Sequence, residues 1–167
     1  MSNLESIDED KKCFIVSNSK NFIHSLAEAI KEKCGGNRKI LTITADNSGD
    51  QFMIEFVKNI KTRILDYQAL LASPSLGTGV DITFPDNQQN IDCVYGFFQN
   101  GINTHFDIDQ QISRVRHPKK IKIWLSNRRV NYETNFEVIM SNLAKAGAVP
   151  SSNQGYDDDF NPHYDKN

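Results

Sequence analysis

The sequence predicts an α/β fold of three layers, with a mainly parallel central sheet and helices on both faces. Two observations carry that expectation. Short apolar, β-branched runs alternate along the chain with segments whose apolar residues recur at helical spacing. A strand that returns to its sheet through a helix does so by a right-handed crossover, which makes neighbouring strands parallel and sets helices on either side. A third observation concerns ligands: polar, glycine-bearing loops follow the strands, at the carboxyl edge where such sheets bind them.

Cys13-Phe14-Ile15-Val16 is the first apolar run, and Ser17-Asn18-Ser19 closes it as a loop. Phe22, Ile23, Leu26, Ala27 and Ile30 then recur at helical spacing, with Ser19 placed to cap that helix and Gly35-Gly36 to stop it. Lys39 to Ala45 reads as a second strand, and Phe52, Met53, Phe56, Val57, Ile60 and Ile64 as one continuous amphipathic helix. Ala69-Leu70-Leu71-Ala72 is a third strand, running into Ser73 to Asp81. Ile91 to Phe98 is a fourth and Ile121 to Leu125 a fifth, in which Trp124 reads as a core residue while Lys120 and Lys122 could line a nucleic-acid path. Phe136, Ile139, Met140 and Leu143 mark a last helix ending before Gly147.

Between the fourth and fifth strands lies Asp107 to His117. On a helical wheel Ile108, Ile112 and Val115 form an apolar stripe, and Gln110, Arg114 and His117 face the other way. Pro118 disfavours helical geometry at His117, so the helix is expected to end near Arg116. Arginine is permanently charged and forks onto phosphate, so an outward row of this kind suits polyphosphate, though it equally suits a solvated surface helix. In Ser73 to Asp81, Gly77 and Gly79 permit close approach of a ligand to the main chain, Thr78 can donate to phosphate, and Asp81 can accept from a ribose hydroxyl. An ordinary tight loop has the same look. Ser17, Asn18, Ser19 and Lys20 suit contact with a nucleic-acid backbone, and equally a helix cap.

Composition narrows the class. At 167 residues the chain suits one main domain. It is expected to divide into a polar acidic extension (1–11), an ordered domain (12–147) and a disordered acidic tail (148–167). The net charge of −2 is uneven: eight acids and one lysine lie in residues 1–10 and 157–167, leaving 18 basic and 13 acidic residues between them. A basic body permits an anionic partner without requiring one. Cys13, Cys34 and Cys93 form no CxxC pair, no apolar run is long enough for a membrane, and the first twelve residues do not resemble a signal peptide. A cytoplasmic, reduced protein is expected. His105, Asp107 and Asp109 would share a face only in an extended segment, so no metal site is expected.

Three stretches, in this order and spacing, resemble the C-terminal RecA-like lobe of superfamily 2 helicases and translocases. Phe14 to Ser19 looks like helicase motif IV, Leu71 to Ile82 with its Gly-Thr-Gly-Val-Asp core like motif V, and Gln110 to Arg116 like motif VI. The resemblance spans about Lys12 to Leu125. The Ser-Arg-Val-Arg form is also similar to the helicase region of viral and plasmid origin-binding replication proteins, which implies a role in DNA replication. The family implies that Gln110 and Arg114 face ATP held by a partner lobe, with Arg114 as arginine finger. It implies that Asp81 lies near the ribose, that Thr78 or Ser73 meets the nucleic-acid backbone, and that Ser17 to Lys20 help hold the strand. Two departures matter: Ser113 stands where the family has glycine, and His117 where it often has a second arginine, so Arg116 and His117 compete for the role of second phosphate ligand.

No Gly-x-x-x-x-Gly-Lys-Ser/Thr phosphate loop is present, and Asp8-Glu9-Asp10 follows no apolar strand that would make it a magnesium-binding box. The resemblance therefore implies half of an ATP-hydrolysing site. ATP with Mg²⁺ would be engaged only alongside an N-terminal helicase lobe, in cis or in trans, with DNA or RNA as the track; the isolated chain would bind no cofactor and hydrolyse no ATP. The alternative is a non-catalytic interaction module of the same fold.

Overall fold

A computed structural model describes residues 11–34, 38–77, 79–127, 133–145, 153–156 and 162–164. These fall into two units, Met1–Arg129 and Val130–Asn167.

In the first unit five strands form one wholly parallel sheet: β1 (Cys13–Ser17), β2 (Ile40–Ile43), β3 (Ala69–Ala72), β4 (Cys93–Phe98) and β5 (Ile121–Leu125), in the spatial order β2-β3-β1-β4-β5. β1 lies at the centre and is buried throughout, as a strand covered on both faces must be. Its alternate side chains feed two cores. Phe14 and Val16 join Phe56, Ile60 and Ile64 on one face; Cys13 and Ile15 join Ile23, Leu26, Ala27 and Ile30 on the other. The second face is covered by helix α1 (Lys20–Lys33), the first by α2 (Gln51–Lys58) and α3 (Ile60–Arg63). Three layers result. Cys13 and Cys93 sit opposite each other in adjacent strands, and burial pushes the Cys13 thiol up to about 12, so it remains a protonated small hydrophobe.

Two elements depart from the sequence expectation. The second amphipathic helix is interrupted at Asn59 (φ −112°, ψ 25°), whose side-chain amide donates to the Glu55 carbonyl, competing for a helical acceptor. The chain resumes as α3 and then a 3₁₀ turn, Ile64–Asp66, which keeps Ile60 and Ile64 in the core. Trp124 is not a core residue: it is 55% exposed, because β5 is the last strand in the sheet order and all five of its residues are exposed. Lys122 instead lies 5.7 Å from the ring centre of Tyr95 on the neighbouring strand.

Helix α4 (His105–Ile112) opens with a capping box, in which Thr104 and Asp107 each satisfy the other's backbone N–H. Ile108 and Ile112 pack on the first core, and a Cβ at Gly96 of β4 would lie 2.6 Å from the Phe98 ring and 3.5 Å from Ile112 Cδ1.

The second unit contains helix α5 (Phe136–Lys145), with Asn135 Oδ1 accepting the N–H groups of Glu137 and Val138. Within the stretch read as a disordered tail, Asn153–Tyr156 (β6) and Pro162–Tyr164 (β7) pair antiparallel. No described helix is long and apolar enough to cross a membrane.

Candidate nucleotide and nucleic-acid site

The loop after β1 is a closed polar joint. Ser17 is only 2% exposed, and its hydroxyl accepts the Ser19 N–H at 3.1 Å. Ser19 caps α1 by accepting the Phe22 N–H. Asn18 clasps Gln99 at the end of β4, donating from Nδ2 to its carbonyl and accepting its N–H. Lys20 pairs with Asp46 at 2.8 Å, and that hydrogen bond, with a second from His24, holds the Asp46 carboxyl below the usual aspartate range. Ser17, expected to touch a nucleic-acid backbone, thus faces inward in this structure and serves the turn.

Ser73 is placed in the same way. It is buried, and its hydroxyl accepts the Ser75 N–H at the start of the 3₁₀ turn Pro74–Leu76. Gly77 and Gly79 have φ of +86° and +82°, the left-handed region that side chains resist, with open space where a Cβ would stand. Thr78 lies outside the described residues.

Beyond Gly79 the chain runs beside the end of α4. The Ile82 N–H donates to the Arg114 carbonyl at 2.7 Å, the Arg116 N–H donates to the Ile82 carbonyl at 3.2 Å, and Ile82 and Val115 form a parallel bridge. This pairing overrides the helical wheel. α4 stops at Ile112, capped by Ser113 (φ −73°, ψ 1°); Arg114 lies in the turn that follows, and Val115 bridges Ile82. Arg114 thus does not share an outward helical face with Gln110 and His117. It is 5% exposed, its guanidinium Nη1 has no hydrogen-bond partner among the described residues, and burial lowers its pKa. Gln111, not Gln110, is the buried glutamine, and its Oε1 also lacks a partner; Gln110 is exposed and His117 partly exposed.

Arg116 is exposed and reaches back to the glycine loop. Its Nε donates to Asp81 Oδ1 at 2.7 Å, while the Thr83 hydroxyl donates to Oδ2 at 2.7 Å and Lys61 Nζ stands 3.6 Å from the same oxygen. Hydrogen bonds from Arg116, then Thr83, hold Asp81 below the usual aspartate range. Asp81 therefore orients Arg116 here, with both its oxygens engaged by this chain. Thr83, Lys61 and Gln111 escaped the sequence reading. Thr83 alone left a signal, since two residues after Asp81 in an extended segment is the same side of the chain. Among the described residues no three His, Cys, Asp or Glu side chains gather to hold a metal ion.

Domain 2 of the DEAD-box helicase Mss116p, in a structure bound to an RNA duplex, matches 87% of this chain and 51% of that one, with TM-score 0.51 and 14% identity. The fold is RecA-like. This RecA-like chain spans about half the length of the Mss116p chain it matches. The Hef helicase domain of Pyrococcus furiosus also matches, over 81% of this chain and 25% of that one, with TM-score 0.43 and 15% identity. No family model and no curated protein matches the sequence. In the RecA-like frame, Gly77, Gly79, Asp81, Arg114 and Arg116 belong to two neighbouring segments joined at Ile82 and Arg114.

Proposed function

We propose that this chain is the C-terminal lobe of an ATP-dependent nucleic-acid helicase or translocase. It supplies cations to a nucleotide held mainly by an N-terminal RecA-like lobe, in cis or in trans. The observation that carries the reading is Arg114: a desolvated guanidinium with an unmet donor, one chain segment away from a second arginine oriented by Asp81. A buried cation is costly unless paired, and nothing described in this chain pairs Nη1. An oxygen of the transferred phosphoryl group would complete it, the role of an arginine finger. Arg116 rather than His117 is the second phosphate ligand in this reading, since Asp81 takes only its Nε and its terminal nitrogens project from an exposed side chain.

The phosphate cradle and the seat for Mg²⁺ would come from the other lobe. The isolated chain should accordingly show no ATP turnover. Nucleic acid as the track is supported by the motif order and by the Mss116p domain, which was bound to an RNA duplex; DNA replication as the setting rests on the Ser-Arg-Val-Arg form alone. The test is an assembly of this chain with a RecA-like lobe bearing a phosphate loop. Nucleic-acid-stimulated ATP hydrolysis that vanishes in Arg114→Ala supports the proposal. Turnover unaffected by that change points to the non-catalytic interaction module, and arginine-dependent turnover by the isolated chain overturns the half-site.

A further inference from the structure

We infer that the β5 edge of the sheet, on the face shared with α1, is a stacking platform for single-stranded nucleic acid. Trp124 is its base-stacking residue and Lys122 its phosphate contact. This goes beyond the proposed function, whose strand contacts lie in the loops at the carboxyl edge of the sheet. β4 and β5 pair with Tyr95 beside Lys122 and Phe97 beside Trp124. Partners in register project from the same face, and Tyr95 and Phe97 fix which face it is, because they pack on the core that α1 covers. The Tyr95 and Phe97 rings are nearly parallel, at 9° with centroids 6.5 Å apart, and Phe22 of α1 extends the row 5.2 Å from Phe97. Trp124 is 55% exposed, and its indole meets no other ring among the described residues.

Charge decides the occupant. From Gln110 to Tyr132 the chain has seven lysines and arginines and no Asp or Glu. Arg114 is buried, Arg116 is held by Asp81, and Lys119 by Asp92 at 2.7 Å. Lys120 and Lys122 have no ion pair among the described residues. Lys122 instead lies along the Tyr95 ring, 5.7 Å from its centre, which holds the ammonium at the platform and leaves its protons for an oxygen. An apolar protein surface laid on the rings would bury that cation without a counter-charge. A single strand offers bases to the rings and phosphates to the ammonium, whereas a duplex keeps its bases stacked on one another. The opposite face of β5 presents Ile121, Ile123 and Leu125, with neither ring nor cation, and takes no part.

Trp124 is the only tryptophan in the sequence, so its emission reads the site directly. The experiment titrates the 167-residue chain, with no nucleotide present, with oligothymidylate and with inorganic polyphosphate. Oligothymidylate should quench Trp124, and polyphosphate, which has charge but no bases, should not. In fluorescence anisotropy with labelled oligothymidylate, Trp124→Leu keeps apolar bulk without a ring and should weaken binding about five- to hundredfold, the worth of one stacked base. Trp124→Phe should restore most of it. Lys122→Gln should lower the slope of log affinity against log salt by about 0.7, as loss of one phosphate contact does on a single strand. Binding that leaves Trp124 emission unchanged and is equal in Trp124→Leu overturns the platform. Equal quenching by polyphosphate, or no binding of oligothymidylate at all, overturns it too. None of these outcomes decides the proposed function, which the Arg114→Ala assembly tests separately through ATP turnover.

Discussion

The turn after β1 and the turn after α4 both carry polar side chains, and their hydrogen bonding is opposite. In the first, Ser17, Asn18, Ser19 and Lys20 each find a partner within the chain. At the second, Gln111 Oε1 in the last turn of α4 and Arg114 Nη1 just beyond it are buried with no partner among the described residues. Leaving a buried polar group unsatisfied costs about 1–3 kcal/mol, and more when it is charged. The first turn is a joint that holds the fold; the second leaves buried polar atoms that, in the proposed function, another molecule would complete. The difference separates polar residues kept for folding from polar residues available for binding, which composition alone cannot do.

The largest effect should come from breaking the open turn. In an assembly with a phosphate-loop lobe, Arg114→Ala should lower ATP turnover by about 10³–10⁵, the range for an arginine finger. Arg114→Lys should not restore it, because an ammonium lacks the planar fork. The isolated chain should respond in the other direction. Arg114→Met replaces an unpaired buried charge by an apolar side chain of similar length, and should be neutral or stabilising by up to ~4 kcal/mol in urea unfolding. A variant that is both less stable and fully active would show that Arg114 belongs with the joints.

The closed turn makes the converse prediction. Ser17→Ala and Ser73→Ala each strand a backbone N–H that the hydroxyl now accepts, the Ser19 N–H in one and the Ser75 N–H in the other. Each should cost ~0.5–2 kcal/mol by the measure of lost capping residues. Neither should change nucleic-acid affinity, since both side chains face inward. A loss of affinity at unchanged urea midpoint would put these serines on the strand path and erase the contrast between the two turns.

The same contrast explains what the sequence made legible. The alternation of strand and helix was readable because burial on both faces of a parallel sheet leaves continuous apolar runs such as Cys13 to Val16. Ser19 as a cap was readable because capping is local. The orientation of Arg114 was not, because it is decided by Ile82, far away in sequence: the bridge from Ile82 to Val115 ends the helix early and turns the arginine inward. Trp124 misled for a related reason. An aromatic between lysines and aliphatics reads as core only if something covers the strand, and the residues of β5 are exposed. The Asp81–Arg116 pair also spans two segments, so each motif displays its charge while neither shows the contact.

That pair yields the smallest effect and the finest test. Asp81 has a folded-state pKa below its unfolded value, with the Arg116 hydrogen bond as the largest cause. Its contribution to stability is therefore complete above the unfolded value of ~3.9 and is lost as pH falls through the lowered folded value. Between neutral pH and about pH 5 the contact should be indifferent to pH. Following the Asp81 carboxyl carbon by NMR should show titration below the ordinary aspartate range. Arg116→Gln should raise that midpoint toward the ordinary range, and Lys61→Ala should raise it less, because Lys61 stands farther away and contributes only by charge. An Asp81 that titrates normally while Arg116 is present would mean that the arginine is not held. Arg116 would then be as unconstrained as a solvated surface residue, and the case for its meeting phosphate would lose its geometry.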